Sequence, residues 1–141
     1  MIIDTTYLLP LARIAVDKDL LGLISKGRLE IRFSELSVSL ISLLELQAKV
    51  AKLMLPAEYA IKAIDAVTKA LRVIPFHDHE IIRVSFELRR EIPDYIDCVI
   101  AATAITLKED LITEDSLILS KRNTLSKRYG IKIFNLESLI S

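Results

Sequence analysis

Five short apolar runs, separated by longer segments of helical period, constrain the fold of this chain more than any other feature. Each run has the length of a buried strand and is bounded by charged or turn-forming residues. Strands that alternate with helices favour an α/β fold with a mainly parallel sheet and right-handed crossovers. The predicted strands cover residues 1–3, 36–41, 72–76, 111–113 and 131–136.

The segments between these runs carry apolar residues at the spacing of amphipathic helices. Pro10 occupies a place that only the opening turn of a helix tolerates, Pro93 separates the fourth and fifth helices, and Gly130 follows the sixth. The predicted helices cover residues 7–25, 43–55, 57–71, 80–90, 97–107 and 116–129.

Composition limits the class of protein. The 141 residues predict one domain, 1–141, because no Pro/Gly/Ser-rich linker divides them. Although 52% of the residues are hydrophobic, charges interrupt every apolar run well before the roughly 18 residues of a membrane span. The N-terminal MIID lacks the features of a signal peptide, and the single cysteine, Cys98, fits a reducing compartment. We therefore expect a soluble cytoplasmic protein with no membrane partner.

Four acidic residues are expected at one edge of the predicted sheet. Asp4 directly follows the first strand, Glu45 lies in the opening turn after the second, and Asp115 comes two residues after the fourth. The helix that begins at Asp97 ends near the start of the fourth strand, so its first turn lies about 15 Å away, at the carboxyl edge. Ligands of open parallel sheets gather at that edge.

Four carboxylates in one place indicate a metal site. Two carboxylates about 6 Å apart repel by roughly 3 kcal/mol at an effective dielectric near 20, more than a cap or helix dipole returns. A cluster must therefore take up protons, spread apart or bind a cation. Oxygen ligands suit Mg²⁺ or Mn²⁺, which polarise phosphates and generate hydroxide. The chemistry that this pattern predicts is phosphodiester hydrolysis.

Each acid also has an alternative role in capping a helix, because carboxylates accept hydrogen bonds from the first amides of helices. The candidates for this role are Asp4, Asp94 with Asp97 one turn later, Asp115, and Glu45 in the capping-box pattern Ser42-x-x-Glu45. The joint placement of the acids, rather than any one of them, supports the metal site.

The sequence resembles the PIN-domain family, and more closely its VapC-type toxin ribonucleases. The resemblance spans essentially the whole chain and rests on IIDTT at the start, SLISLLEL around Glu45, DCVIAATA from Asp97, and LITED ending at Asp115. It implies a three-layer α/β/α domain with a central sheet of four to five strands. It also implies that Asp4, Glu45, Asp97 and Asp115 bind Mg²⁺ or Mn²⁺ and support RNA cleavage.

The same resemblance suggests supporting residues and partners. Thr6 and Thr113 match hydroxyl residues near the metal in the family, and the family implies a homodimer and, for its toxin branch, a small antitoxin. The chain departs from the family after Asp115, where Ser116, Leu117 and Ile118 replace a further acid. Glu114 and Asp94 are the candidate replacements.

A rival interpretation is a catalytically silent PIN-like module that binds RNA or a protein. A phosphatase has less support, since no phosphate-holding loop is recognisable. The tyrosines are too scattered along the chain to predict a base-stacking platform. His77 and His79 are expected to be solvated turn residues, and Cys98 a core thiol. Two basic clusters are candidates to hold RNA, with solvated helix faces as the alternative: Lys26, Arg28 and Arg32, and Lys121, Arg122, Lys127 and Arg128.

Overall fold

The computed structural model describes residues 1–140 and contains a five-stranded sheet in which every strand pair is parallel. The strand order is β3-β2-β1-β4-β5, so the N-terminal strand lies at the centre. This confirms the α/β class and the predicted parallel sheet. The strands are β1 (Ile2–Ile3), β2 (Ser37–Ser39), β3 (Arg72–Ile74), β4 (Leu111–Ile112) and β5 (Ile133–Phe134).

Helices cover both faces of the sheet. Two 3-10 helices, Thr5–Ala12 and Phe33–Glu35, lie between the first two strands. The α-helices are α1 (Leu20–Ser25), α2 (Leu40–Lys52), α3 (Ala57–Ala70), α4 (His79–Leu88), α5 (Tyr95–Leu107), α6 (Ser116–Ser120), α7 (Arg122–Tyr129) and α8 (Leu136–Ile140). Within residues 1–140, no helix is long and apolar enough to cross a membrane.

The three layers follow from the alternation of side chains along the strands. Ile3 belongs to a core cluster that contains Leu46 of α2, whereas its neighbour Ile2 belongs to a second cluster with Leu88 and Ile100. Successive residues of a strand point to opposite faces. Two buried residues of β1 therefore connect the core under α1, α2 and α3 to the core under α4 and α5, which confirms the α/β/α arrangement.

Helix α5 is buried on nearly every side. Its middle carries the run Ala101, Ala102, Thr103 and Ala104, all fully or almost fully buried, and Cys98 is a free thiol with no exposed surface. Small side chains let α4 and the sheet approach the α5 backbone closely. The helix is therefore a rigid support for its N-terminal residue Asp97.

The predicted first helix over residues 7–25 is wrong. A 3-10 helix ends at Arg13, which has a left-handed φ of 62°, and α1 begins only after its cap Asp19. Pro10 lies inside the 3-10 helix, where it has no N–H to donate and crowds the preceding turn. The chain therefore breaks into two short helices rather than one long one.

The second helix begins three residues earlier than predicted. Ser39 ends β2 and caps α2, because its Oγ accepts a hydrogen bond from the Ile41 amide at 3.3 Å. The capping-box interpretation of Ser42-x-x-Glu45 is therefore wrong: Ser42 lies inside the helix, and Glu45 lies in the second turn rather than the opening one.

The C-terminal elements are shorter than predicted. The helix expected over 116–129 divides at Lys121 into α6 and α7, and the strand expected over 131–136 contains only Ile133–Phe134. The last residue of that predicted strand, Leu136, instead begins α8, a helix that the apolar pattern did not predict.

We expect Leu46→Ala to lower the free energy of unfolding by about 2–5 kcal/mol, because Leu46 is fully buried and its truncation leaves a cavity. Leu44→Ala on the same helix is the matched control, since Leu44 is 58% exposed and its truncation should change stability by less than about 0.5 kcal/mol. Chemical denaturation measures both. Equal losses in the two variants would contradict the assignment of these faces of α2.

Candidate metal centre

The chain reverses direction across the sheet at the centre of the molecule. After β1 the chain crosses to β2 and β3 on one side, and then returns to β4 on the other side of β1. The carboxyl ends of β1 and β4 therefore flank a topological switch point, where open parallel sheets form their binding crevices. Asp4 directly follows β1, and Asp115 lies three residues beyond the last residue of β4.

A cavity of about 370 Å³ at this point brings the four predicted acids together. Thr6 and Glu114, two of the predicted supporting residues, also line it, whereas Asp94 and Thr113 do not. Its lining contains five carboxyl groups and a single ammonium group. The lining residues are Asp4, Thr5, Thr6, Leu9, Glu45, Lys49, Asp97, Glu114 and Asp115.

A network through Thr113 holds Asp4 and Asp115 in place. The Thr113 hydroxyl donates to Asp4 Oδ2 at 2.8 Å and accepts from the Asp115 amide at 3.1 Å. The other oxygen of Asp4, Oδ1, accepts from the Thr5 amide at 2.7 Å. Thr113 is almost fully buried, so it connects the loops after β1 and β4 from behind the cavity. The sequence pattern placed this residue near the site but did not indicate its partners.

Thr5, rather than Thr6, makes the hydroxyl contact to a predicted metal ligand. Its Oγ1 lies 2.5 Å from Glu45 Oε1 and 2.9 Å from Ser42 Oγ. One hydroxyl proton serves one acceptor, so the two distances fit a chain in which Ser42 donates to Thr5 and Thr5 donates to Glu45. Sequence reasoning missed this role because the residues are 37 and 40 positions apart.

Asp94 and Asp97 have different surroundings although they are one turn apart. Asp94 caps α5, since its Oδ1 accepts from the amides of Ile96 and Asp97 at 2.9 and 3.2 Å. Within residues 1–140, no donor bonds the Asp97 carboxylate, which points into the cavity lining instead. The capping alternative therefore holds for Asp94, and it holds for Asp4 and Asp115 as well, which cap the helices that follow them.

Capping leaves part of each carboxylate free. Asp115 uses Oδ1 to accept from the Ile118 amide at 2.8 Å, and no described donor contacts its Oδ2. The capping bond orients the carboxylate without occupying both oxygens. A helix cap and a metal ligand are thus compatible roles for the same residue.

Glu114 links the site to the C-terminal elements. Its Oε2 accepts from the buried Tyr7 hydroxyl and, at 2.8 Å, from the Leu136 amide that starts α8. Burial, followed by the bond and the charge of Glu114, raises the pKa of Tyr7, so the phenol stays a proton donor. Glu114 thus ties three segments together, and one of its oxygens is already committed.

The electrostatics of the cavity favour proton or cation uptake. Burial raises the pKa of Asp97 to about 7, with further contributions from the charges of Asp94, Asp115, Asp4 and Glu45. Burial also raises the pKa of Asp4 against the lowering effect of its bonds to Thr113 and Thr5, and it raises the pKa of Glu45. For Asp4, Glu45 and Asp97, burial and the charges of neighbouring acids thus both disfavour the anion.

The donors present fit a hard divalent cation. Every candidate ligand is an oxygen, and a cation would favour the charged form of Asp97, whose pKa is raised by burial and by the neighbouring acids. In residues 1–140, however, no three Asp, Glu, His or Cys side chains are arranged closely enough to hold one ion. The four acids line one cavity without converging on a point, which agrees with their mutual repulsion and with the hydrogen bonds of Asp4 and Glu45.

The two basic clusters are not part of the cavity lining. Arg32 lies three residues before Glu35, and the Glu35 carbonyl accepts a hydrogen bond from the Met1 amino group, which precedes β1. The Arg32 end of the first cluster is therefore at the amino edge of the sheet. In the second cluster, Arg128 forms a two-pronged ion pair with Glu91, with N–O distances of 2.8 and 3.2 Å. These placements favour solvated or structural roles for both residues.

Comparison with known proteins agrees with this geometry. A family model described as the PIN domain matches residues 1–122. No curated protein is significantly similar to the chain.

Several solved structures share the fold. A chain of VapBC2 from Rickettsia felis, bound to a DNA fragment from its promoter, is 23% identical with a TM-score of 0.64, and the match covers 95% of this chain and 96% of that one. A chain of FitAcB from Neisseria gonorrhoeae is 19% identical with a TM-score of 0.64 and coverages of 96% and 97%. A chain of a toxin-antitoxin complex from Klebsiella pneumoniae is 22% identical, with a TM-score of 0.61 and coverages of 82% and 86%.

The solved structures agree in fold, and the family model extends over most of the 141 residues, including all five acids of the cavity. The chain therefore belongs to the PIN domain family.

Proposed function

We propose that the protein is a Mg²⁺- or Mn²⁺-dependent ribonuclease that hydrolyses RNA phosphodiester bonds. The observation that carries this proposal is the cavity at the switch point of the sheet, where Asp4, Glu45, Asp97 and Asp115 lie together and the pKa of Asp97 is raised to about 7. A cation bound among these carboxylates would favour their charged forms. A divalent cation beside an RNA phosphate supports hydrolysis.

The four acids would hold the ion, and the ion would supply a polarised phosphate and an activated water. The residues behind them set the positions of the ligands. Thr113 fixes Asp4 relative to Asp115, Thr5 fixes Glu45, and Asp94 caps the helix that presents Asp97. In this arrangement the described hydrogen bonds orient the carboxylates, and the carboxylates bind the metal.

We further propose that this nuclease is the toxin of a toxin–antitoxin pair, acts as a homodimer and is inhibited by a small antitoxin protein. Similarity in fold to chains from VapBC2, FitAcB and the Klebsiella pneumoniae complex supports this proposal. The acidic cavity would suit an antitoxin segment with a positively charged side chain, which could compete with the metal for the carboxylates.

We expect the purified protein to cleave single-stranded RNA with Mn²⁺ or Mg²⁺ and to leave it intact in EDTA. Asp4→Ala and Asp97→Asn should each lower the cleavage rate by roughly 100-fold or more, because each removes a ligand of the ion that stabilises the reacting phosphate. Asp65→Asn is the matched control, since Asp65 is an exposed acid on α3 outside the cavity. Cleavage that persists in EDTA, or that both cavity variants retain, would contradict the proposal.

We expect expression of the wild-type chain to arrest bacterial growth, and expression of Asp4→Ala to allow it, because toxicity would depend on the metal site. Growth curves at matched protein levels, checked by immunoblot, measure this. A wild-type chain that cleaves RNA in vitro but never slows growth would argue for a PIN nuclease outside a toxin pair.

The alternative function is a silent module that binds RNA or protein and uses the acids structurally. Two observations favour it: Ser116, Leu117 and Ile118 follow Asp115 in place of a further acid, and Tyr7 and the Leu136 amide already engage Glu114 Oε2. Glu114 is therefore a constrained replacement for the missing ligand. Stability measurements without RNA distinguish the two functions.

We expect Asp97→Asn to be more stable than the wild type in metal-free buffer at pH 8, by about 1 kcal/mol after allowance for solvent screening of a half-buried group. The pKa of Asp97 is about 7 in the folded state against 3.8 in model compounds. The Asp97 carboxyl group therefore makes its full contribution to folding stability below about pH 4, and this contribution is lost as the pH rises through 7. The stability advantage of Asp97→Asn over the wild type should consequently shrink towards pH 5. Thermal unfolding across this pH range measures the effect.

The control for this experiment is Asp94→Asn, which removes a neighbouring charge but keeps a good helix cap. Adding Mg²⁺ at pH 8 should stabilise the wild type more than Asp97→Asn. If Asp97→Asn is instead less stable than the wild type at pH 8, Asp97 serves the helix N-terminus rather than a strained metal site, and the silent module is favoured.

A further inference from the structure

Two aromatic rings lie in contact on the surface, although sequence reasoning found the tyrosines too scattered for a stacking platform. Phe86 of α4 is 65% exposed and Tyr95 of α5 is 42% exposed. Their ring centroids are 5.8 Å apart, and the planes meet at 81°, an edge-to-face pair. The ring that pairs with Tyr95 belongs to a phenylalanine nine positions earlier, and the packing of α4 against α5 brings the two rings together.

This pair lies close to the acidic cavity along the chain. Tyr95 is the first residue of α5, directly after the cap Asp94 and two positions before the cavity residue Asp97. Two helical positions correspond to a rise of about 3 Å along the axis. The backbones of Tyr95 and Asp97 are therefore neighbours at the start of α5, although residues two positions apart on a helix lie on different faces.

Two exposed arginines follow Phe86 in the chain. Arg89 is the C-cap of α4 and Arg90 is the next residue, so they follow Phe86 by three and four positions, and both are exposed. In the described part of the chain, residues 1–140, neither guanidinium group forms a hydrogen bond or an ion pair. This differs from Arg83 on the same helix, which pairs with Glu80, and from Arg128, which pairs with Glu91.

We infer that Phe86, Tyr95, Arg89 and Arg90, here called the aromatic–basic patch, bind single-stranded RNA by stacking a base beside the phosphate at the acidic cavity. This inference rests on the proposed function and adds to it a contact site for the bases and the backbone of that RNA. Exposed aromatic rings stack unpaired bases of any sequence, whereas the bases of a duplex are already stacked and paired. The two arginines would contact the backbone, which the cavity by itself repels.

The composition of the patch favours RNA over a second copy of this chain. Two aromatic side chains bury at most about 150–250 Å² each, well below the roughly 800 Å² that each partner contributes to a stable interface. An isologous contact centred on the patch would also bring two copies of Arg89 and Arg90 together, and like charges repel. A polyanion with flat bases complements both the charge and the rings.

The test measures RNA binding without cleavage. The probe is an eight-nucleotide oligouridylate with one central 2-aminopurine, titrated with the full chain in EDTA, so that stacking quenches its fluorescence while the metal is absent. We expect Phe86→Leu and Tyr95→Leu, which keep apolar bulk but remove the ring, each to raise Kd about tenfold and to reduce the quenching. Arg89→Gln and Arg90→Gln should each lower the slope of log K against log salt by about 0.7.

Ile82→Ala is the matched control, because Ile82 is a 38% exposed apolar residue one turn before Phe86 but has no ring to stack. It should leave both Kd and quenching unchanged. Circular dichroism verifies that each variant is folded. The same oligonucleotide annealed to its complement should bind with at least tenfold lower affinity.

Three outcomes would overturn the inference. They are a wild-type chain that does not quench the probe, ring variants that bind like the wild type, and equal affinity for the duplex. If the ring variants instead change the mass of the particle in analytical ultracentrifugation and leave RNA binding intact, the patch is an interface between two copies. Ring-dependent binding by a chain that cleaves no RNA would support this inference and refute the nuclease proposal, so the two fail separately.

Discussion

Repulsion between carboxylates at the carboxyl edge of the sheet is the constraint around which this structure is organised. The cavity lining contains five carboxyl groups against the ammonium group of Lys49, and burial together with the neighbouring acids raises the pKa of Asp97 to about 7. Such a cluster lowers the stability of the folded chain unless protons or a cation compensate it. The surrounding fold must therefore hold these groups together against their own electrostatics.

The structure does so with short hydrogen-bonded connections between loops that are distant in sequence. Thr113 connects Asp4 to Asp115, Thr5 connects Ser42 to Glu45, and Glu114 joins the 3-10 helix to α8. Below them, the two cores that meet across β1 provide the rigidity, because close-packed interiors transmit strain rather than absorb it. A cavity with unfavourable electrostatics is thus supported by a well-packed scaffold.

Two of the predicted metal ligands, Asp4 and Asp115, also cap helices. Asp4, Asp94 and Asp115 each accept hydrogen bonds from backbone amides at the start of a helix. The helix dipoles partly offset the electrostatic cost of concentrating negative charge there. Among the five acids of the cavity, Asp97 is the one whose carboxylate accepts no hydrogen bond within the described residues, and burial raises its pKa to about 7. Asp97 is therefore the cavity carboxylate whose negative charge is least compensated.

The amino-acid sequence by itself determined the parallel α/β architecture and the grouping of the four acids, because both follow from local periodicity and from the rule that ligands gather where parallel strands end. It also indicated the positions of α3, α4 and α5 to within about two residues, since their apolar stripes are long.

What only the tertiary structure decided depends on contacts between distant segments. The Thr5–Glu45 bond and the Thr113–Asp4 bond each join residues that are far apart in the chain. The pairing of Phe86 with Tyr95 is of the same kind. Periodicity reports which face of a segment is apolar, but it carries no information on which side chain of another segment will meet it.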